Sequence, residues 1–279
     1  MAKYALIPQQ LLYEGTLTEE HFFSPEPIDE EIVLRTHDAE YWNRLKNLEL
    51  SKREQRRSGF PHSKDLIHRE LVISKGTLDC SRWALENKAA LNIAGGTHHA
   101  YTNRAEGFCL LNDFAIAVNQ LLYEKEIRKV LIVDLDVHQG NGTAQIFQND
   151  KRVFTFSMHG EKNYPLHKES SDLDIPLADK TTDEEFLSIL RETLPKLIEQ
   201  EKPDFICYLS GVDPLANDKL GRLSMSIQGL RDRDAFVFES IEKRDIPVVV
   251  AMGGGYSERL SDIVESHANT FRLATEFFD

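Results

Sequence analysis

From about residue 90 onward the chain alternates short apolar runs with amphipathic stretches, and few folds accept that alternation. Strands apolar on both faces must be covered on both faces, as in a parallel sheet whose crossover helices pack above and below it. The runs read as strands are LNIA (91–94), VLIVDL (130–135), VFTFS (153–157), FICYLS (205–210) and PVVVAM (247–252). Thr182 and Glu185 have capping-box spacing, and Phe186, Leu187, Leu190, Leu194, Leu197 and Ile198 share one helical face, which predicts a helix ending before Pro203. Residues 28–90 read instead as charged helices, EEIVLRTHDAEYWNRLKNLEL and KGTLDCSRWALENKAA, parted by the Gly59-Phe60-Pro61 turn. The expected fold class is therefore a three-layer α/β/α arrangement with a mostly parallel central sheet. Without internal repeats or a Gly/Ser linker, a single domain over residues 1–279 is the simplest organisation.

The chain has 279 residues, 41% of them hydrophobic, enough for a sizeable core without disulfides. Cys80, Cys109 and Cys207 are far apart and never form a C-x-x-C pair, so neither a disulfide framework nor a thiolate metal site is expected. Cys109 reads as a packed thiol. A reduced, cytoplasmic setting follows as an expectation, since the amino terminus lacks a secretory pattern and no apolar run approaches the roughly 18 residues that span a bilayer. The net charge of −13 argues against binding a nucleic-acid backbone and favours, weakly, a cationic partner.

Chemistry gathers just past the carboxyl ends of four expected strands. LNIA leads into Gly95-Gly96-Thr97-His98-His99, VLIVDL into DLDVHQGNG, FICYLS into Gly211-Val212-Asp213, and PVVVAM into Gly253-Gly254-Gly255-Tyr256. Open α/β sheets bind ligands at that edge, so the four segments should converge. Alternate residues of an extended segment point the same way, so Asp134, Asp136 and His138 can face one point, with Gly140 and Gly142 permitting a tight turn after them. Asp213, from another strand, would complete a three-ligand metal site with one position open, the mark of a catalytic metal. Imidazole with carboxylates suits Zn²⁺, and also Fe²⁺. His98 and His99 can act as base and acid if their partners differ: Asp134 could make one more basic, and uncharged Asn141 could orient the other. Tyr256, following three glycines, could donate to a developing oxyanion. His21, His37, His62, His68, His167 and His267 lie outside these motifs and read as surface or helix residues, and Lys52 to Arg57 as a solvated helix end.

Taken in order, AGGTHHAYTNRAEGFCLLND, DLDVHQGNGTAQIF, SGVDPLANDKLGRLSMS and MGGGYS resemble the histone deacetylase family, with its arginase/deacetylase fold. Gln139 and Asn141 are similar to the class IV branch and its bacterial members. The resemblance implies that Asp136, His138 and Asp213 bind zinc, that His98 and His99 form the tandem acid–base pair, and that Tyr256 serves the oxyanion. It also implies that Gly107 and Phe108 line an acyl-lysine channel opposite Tyr164, and that Asp134, Asp136, His138, Ser157 and Met158 surround a structural K⁺. The implied reaction is hydrolysis of an acyl-lysine amide in a protein or peptide. An acetylated polyamine is the alternative substrate, and a weakly active acyl-lysine binding module is the alternative of a different class. Relatives usually begin with an extra strand before the segment matching MAKYALIPQQ, so the chain as given is expected to lack that strand.

Overall fold

The computed structural model describes residues 2–278. Five α-helices come first: α1 (Lys3–Tyr13), α2 (Glu30–Val33), α3 (Ala39–Lys46), α4 (Lys52–Ser58) and the long α5 (Lys64–Asn87). The alternating part follows as β1 (Ala89–Asn92), α6 (Asp113–Glu124), β2 (Val130–Asp134), α7 (Asn141–Phe147), β3 (Val153–Gly160) and β4 (Leu173–Leu177). It ends with α8 (Asp183–Glu201), β5 (Phe205–Leu209), α9 (Ile227–Glu242), β6 (Val248–Ala251) and α10 (Leu260–Phe278). The six strands form one sheet in the order β1-β6-β5-β2-β3-β4, and every pairing is parallel.

The period of two along each strand divides the core into two layers. Val130, Ile132, Phe205, Cys207, Leu209, Val249 and Ala251 pack with buried residues of α3, α5 and α6. Their neighbours Leu131, Val133, Ile206, Tyr208, Val248 and Val250 pack with α8, α9 and α10 on the other face. The helix expected after Thr182 is α8, with the Glu185 carboxylate accepting from the Thr182 N–H at 2.8 Å. All six residues of its expected apolar face are buried.

Three departures from the sequence reading have physical causes. Lys88 adopts a left-handed backbone (φ +75°) that stops α5, so the chain enters β1 at Ala89 rather than at Leu91. No Gly or Pro marks that boundary. Strand β4 was not expected, because LDIPL carries Asp174 and Pro176; on the edge of a sheet, proline need not donate on the open side. His37 is no surface residue: 2% exposed, it lies between the Tyr101 carbonyl and the Asn112 N–H, each at 3.0 Å, and burial lowers its pKa to about 4.

From β2 the chain proceeds outward to β3 and β4, then crosses back so that β5 lies on the opposite side of β2. The connections leaving β2 and β5 therefore diverge and open a crevice at the carboxyl edge. Behind it lies Arg233 of α9, with no exposure. Its Nη1 donates to the Gly211 carbonyl at 2.6 Å and the Leu135 carbonyl at 3.3 Å, tying the two diverging connections together. Its Nε donates to Asp234 at 2.8 Å, and Asp234 in turn accepts from Thr270 and from the Tyr208 hydroxyl. Removing the guanidinium leaves a buried carboxylate without its counter-charge, so Arg233→Gln is expected to lose about 3–5 kcal/mol in denaturant unfolding. A loss below 1 kcal/mol would show that the two connections hold without it.

Candidate active site

Because β1, β6, β5 and β2 are consecutive in the sheet, the four motif-bearing connections meet at one edge. Asp136, His138 and Asp213 are all buried, and each offers a ligand atom within 4.8 Å of the others. His138 Nδ1 stands 3.1 Å from Asp136 Oδ1 and 3.1 Å from Asp213 Oδ2. The other oxygens are occupied: Asp136 Oδ2 accepts from the Gly254 N–H at 2.8 Å, and Asp213 Oδ1 from the Val137 N–H at 2.9 Å. One nitrogen and two oxygens converge, Asp136 Oδ1 also accepting from the His138 backbone N–H at 3.0 Å.

Two carboxylates this close and this dry require a cation between them. A divalent ion fits the donor set, and the backbone is shaped to the cluster. A Cβ at Gly254 would run into Asp213 Oδ2, and one at Gly211 into Asp136 Oδ2. Gly140 and Gly142 act in the same way rather than as turn formers: neither has a positive φ, and a Cβ would strike Asp134 Oδ2 at the first and the Ala100 carbonyl at the second.

Around this cluster the tandem histidines have unlike partners. His98 Nδ1 lies 2.7 Å from Asp134 Oδ2; burial opposes its charge, but Asp134 and Asp136 outweigh burial and raise its pKa to about 9. His99 Nδ1 lies 2.7 Å from Asn141 Oδ1. The Asn141 amide nitrogen donates to the Tyr101 hydroxyl at 3.0 Å and to Glu106 Oε1 at 3.1 Å, which turns its oxygen to His99. His99 Nδ1 must then carry the hydrogen, leaving Nε2 a free base. Burial and the charges of His98 and His138 push its pKa well below the usual imidazole range.

The residues named for the acyl channel lie around one cavity of about 650 Å³ that opens from this cluster to the surface. Phe108 and Tyr164 both line it, 45% and 38% exposed. The Tyr164 ring meets His99 edge-on at 5.1 Å, and its hydroxyl donates to Glu106 at 2.6 Å. Gly107 (φ +54°) and Phe108 (φ +65°) form a left-handed turn, and a Cβ at Gly107 would come within 2.6 Å of the His99 ring. A phenylalanine in that backbone region is strained, a feature concentrated at functional sites. Tyr256 lines the same cavity; burial and the nearby Asp213 and Asp136 push its hydroxyl pKa up, so it stays a proton donor. Ser157 and Met158 lie on β3 beside β2, with Ser157 paired in register to Asp134 and its Oγ 3.0 Å from His159 Nδ1.

Several supporting residues were not singled out from sequence. Asp113, at the start of α6, accepts from the N–H groups of Gly96 and Thr97 and from two threonine hydroxyls, fixing the loop before His98. Asp218 accepts from the Tyr256 N–H at 2.6 Å, and Lys3 Nζ donates to the Gly253 carbonyl at 3.0 Å. Their contacts are made by tertiary packing, although Asp113, closing the LLND block, and Asp218, within SGVDPLANDKLGRLSMS, both stand inside the family motifs.

Comparison with known proteins bears on the family and the fold. A description of the histone deacetylase domain matches residues 1–271. An uncharacterized protein of Picosynechococcus is 40% identical over 100% of this chain and 93% of its own length. Histone deacetylase 2 of Arabidopsis thaliana is 28% identical over 94% of this chain and 70% of its own. A solved structure of a histone deacetylase homologue from Aquifex aeolicus superposes with a TM-score of 0.82 at 23% identity, covering 98% of this chain and 76% of that one.

The metal cluster carries a pH prediction. Burial opposes a charge on His138, but its hydrogen bonds to Asp136 and Asp213 raise its pKa to about 10, while burial and Asp136 raise Asp213 to about 7. A divalent ion must displace the His138 proton at neutral pH and, below about 7, a second from Asp213. Zinc affinity, measured by chelator competition, should weaken about tenfold per pH unit as pH falls from 8.5 to 7.5, and more steeply below 7. An affinity constant across that span would remove His138 from the ligand set.

Proposed function

The chain belongs to the histone deacetylase family of amidohydrolases, and from that premise we propose that it hydrolyses the amide of an acyl-lysine in a protein or peptide with a divalent metal, zinc in the first instance and iron(II) as the alternative. The observation that carries this reading is the unlike pair of histidines beside the Asp136–His138–Asp213 cluster, at the base of a cavity flanked by Phe108 and Tyr164.

A divalent ion held by Asp136, His138 and Asp213 supplies Lewis acidity to the acyl carbonyl and acidity to a water molecule. His99 Nε2, unprotonated and facing the cavity, takes the proton from the attacking water as its oxygen bonds to the acyl carbon. His98, kept protonated by Asp134, contributes fixed positive charge near the negative charge that develops on the former carbonyl oxygen. The Tyr256 hydroxyl donates to that oxygen. When the carbon–nitrogen bond breaks, His99 returns the proton to the leaving amine, giving a carboxylic acid and a free lysine. Gly107, Phe108 and Tyr164 hold the extended lysine stem, whose apolar methylenes suit two aromatic walls. A structural K⁺ is proposed among Asp134, Asp136, His138, Ser157 and Met158, on the register pairing of β2 with β3.

Assays of the zinc-loaded protein on acetyl-lysine and long-chain acyl-lysine peptides, with an acetylated polyamine alongside, test this reading. Turnover should stop with a chelator, and Tyr256→Phe should keep its metal and fold while losing roughly 10²-fold or more in kcat, the scale for one oxyanion donor. Full activity in that variant would strip Tyr256 of its role. No turnover on any acyl-lysine peptide would favour a binding module.

A further inference from the structure

The chain is acidic, yet its cavity is not. Apart from the metal cluster and the protonated His98 at its base, the charged side chains lining it are Lys3, Arg56, Arg57 and Arg69, all basic. Two of these are committed: Lys3 Nζ donates to the Gly253 carbonyl, and Arg69 pairs with Glu70 at 2.9 Å. Arg56 and Arg57 are exposed at the end of α4, and Glu54, the one acid of that helix, is taken by Arg44 at 2.7 Å. Among the described residues, neither arginine side chain has an ion-pair partner within 4.0 Å.

Their place beside the mouth is fixed by backbone. The Arg57 carbonyl accepts from the Gly107 N–H at 3.2 Å, and the Ser58 carbonyl from the Phe108 N–H at 2.9 Å, so the end of α4 is fastened to one wall of the proposed acyl channel. Gly59, left-handed at φ +79°, turns the chain where any Cβ would meet the Phe108 ring at 2.6 Å. The helix dipole accounts for basic residues in a last turn. It does not account for fastening that turn to the channel wall with its cations unpaired.

We propose that Arg56 and Arg57 select acyl-lysine peptides carrying aspartate or glutamate next to the acyl-lysine. This rests on the acyl-lysine reading above, and it runs opposite to the cationic partner that net charge alone suggests. Complementary charge at a rim acts through encounter and weak pairing, and is screened by salt.

The test measures binding and turnover separately. Short acetyl-lysine peptides with Asp, Ala or Lys on both sides of the acetyl-lysine are titrated by fluorescence anisotropy into zinc-loaded protein in the Tyr256→Phe background. The Asp peptide should bind roughly tenfold tighter than the Lys peptide at low ionic strength, with the gap closing at high salt. Arg56→Gln/Arg57→Gln should abolish the preference and Arg56→Glu/Arg57→Glu reverse it. Lys52→Glu/Arg53→Glu, an equal change of charge on the same helix but outside the cavity lining, should leave it unaltered. A preference that survives reversal at 56 and 57, or that moves as much with the 52 and 53 pair, overturns the proposal. Charge-selective binding without any hydrolysis of a neutral, capped acyl-lysine by the wild type would overturn the hydrolytic reading and uphold the selectivity.

Discussion

Everything at the carboxyl edge of the sheet depends on holding Asp136 and Asp213 side by side out of water. Like charges so placed repel strongly unless a cation lies between them and their remaining lone pairs are satisfied. The fold meets the second condition with backbone N–H groups, from Val137 to Asp213 and from Gly254 to Asp136. Asp136, His138 and Asp213 meet the first, by converging on one point as a site for a divalent ion. Arg233 steadies the arrangement from behind by spanning the carbonyls of Leu135 and Gly211.

The same economy of form appears in the tandem histidines. Two identical side chains, adjacent in sequence and 4.1 Å apart between ring centroids, are held in opposite protonation: the carboxylates of Asp134 and Asp136 keep His98 charged, whereas burial and the charges of His98 and His138 keep His99 neutral, with the Asn141 carboxamide holding its hydrogen on Nδ1. Asn141 can play that part because Glu106 and Tyr101 fix which way its amide faces. Glu106 also holds the Tyr164 hydroxyl, so the base and one wall of the substrate channel share an anchor.

Much of this was legible in sequence because it is periodic or local. The alternation of apolar runs specifies a covered parallel sheet, and the position of His98, Asp136, Asp213 and Tyr256 just beyond four strands predicts that they meet. The rest depends on packing that spacing does not encode. Strand β4 was obscured by Pro176, tolerable only at an edge, and the β1 boundary by Lys88, a left-handed residue with no sequence mark. Asp113, Asp218, Arg233 and His37 act through partners far away in the chain. Arg56 and Arg57 have the pattern of a solvated helix end, and only the bonds from the Gly107 and Phe108 N–H groups to the carbonyls of Arg57 and Ser58 place them beside the cavity.

The central claim is that the carboxylates beside His98 overcome the burial common to both rings and keep it charged, while burial and the charges of His98 and His138 keep His99 neutral. Nitrogen-15 NMR titration of the imidazoles in the metal-free protein tests it most directly. The account predicts that His98 stays an imidazolium up to a pH of about 9, while His99 stays neutral with its hydrogen on Nδ1 throughout the neutral range. Two rings titrating together near the ordinary histidine value of about 6.5 would contradict it.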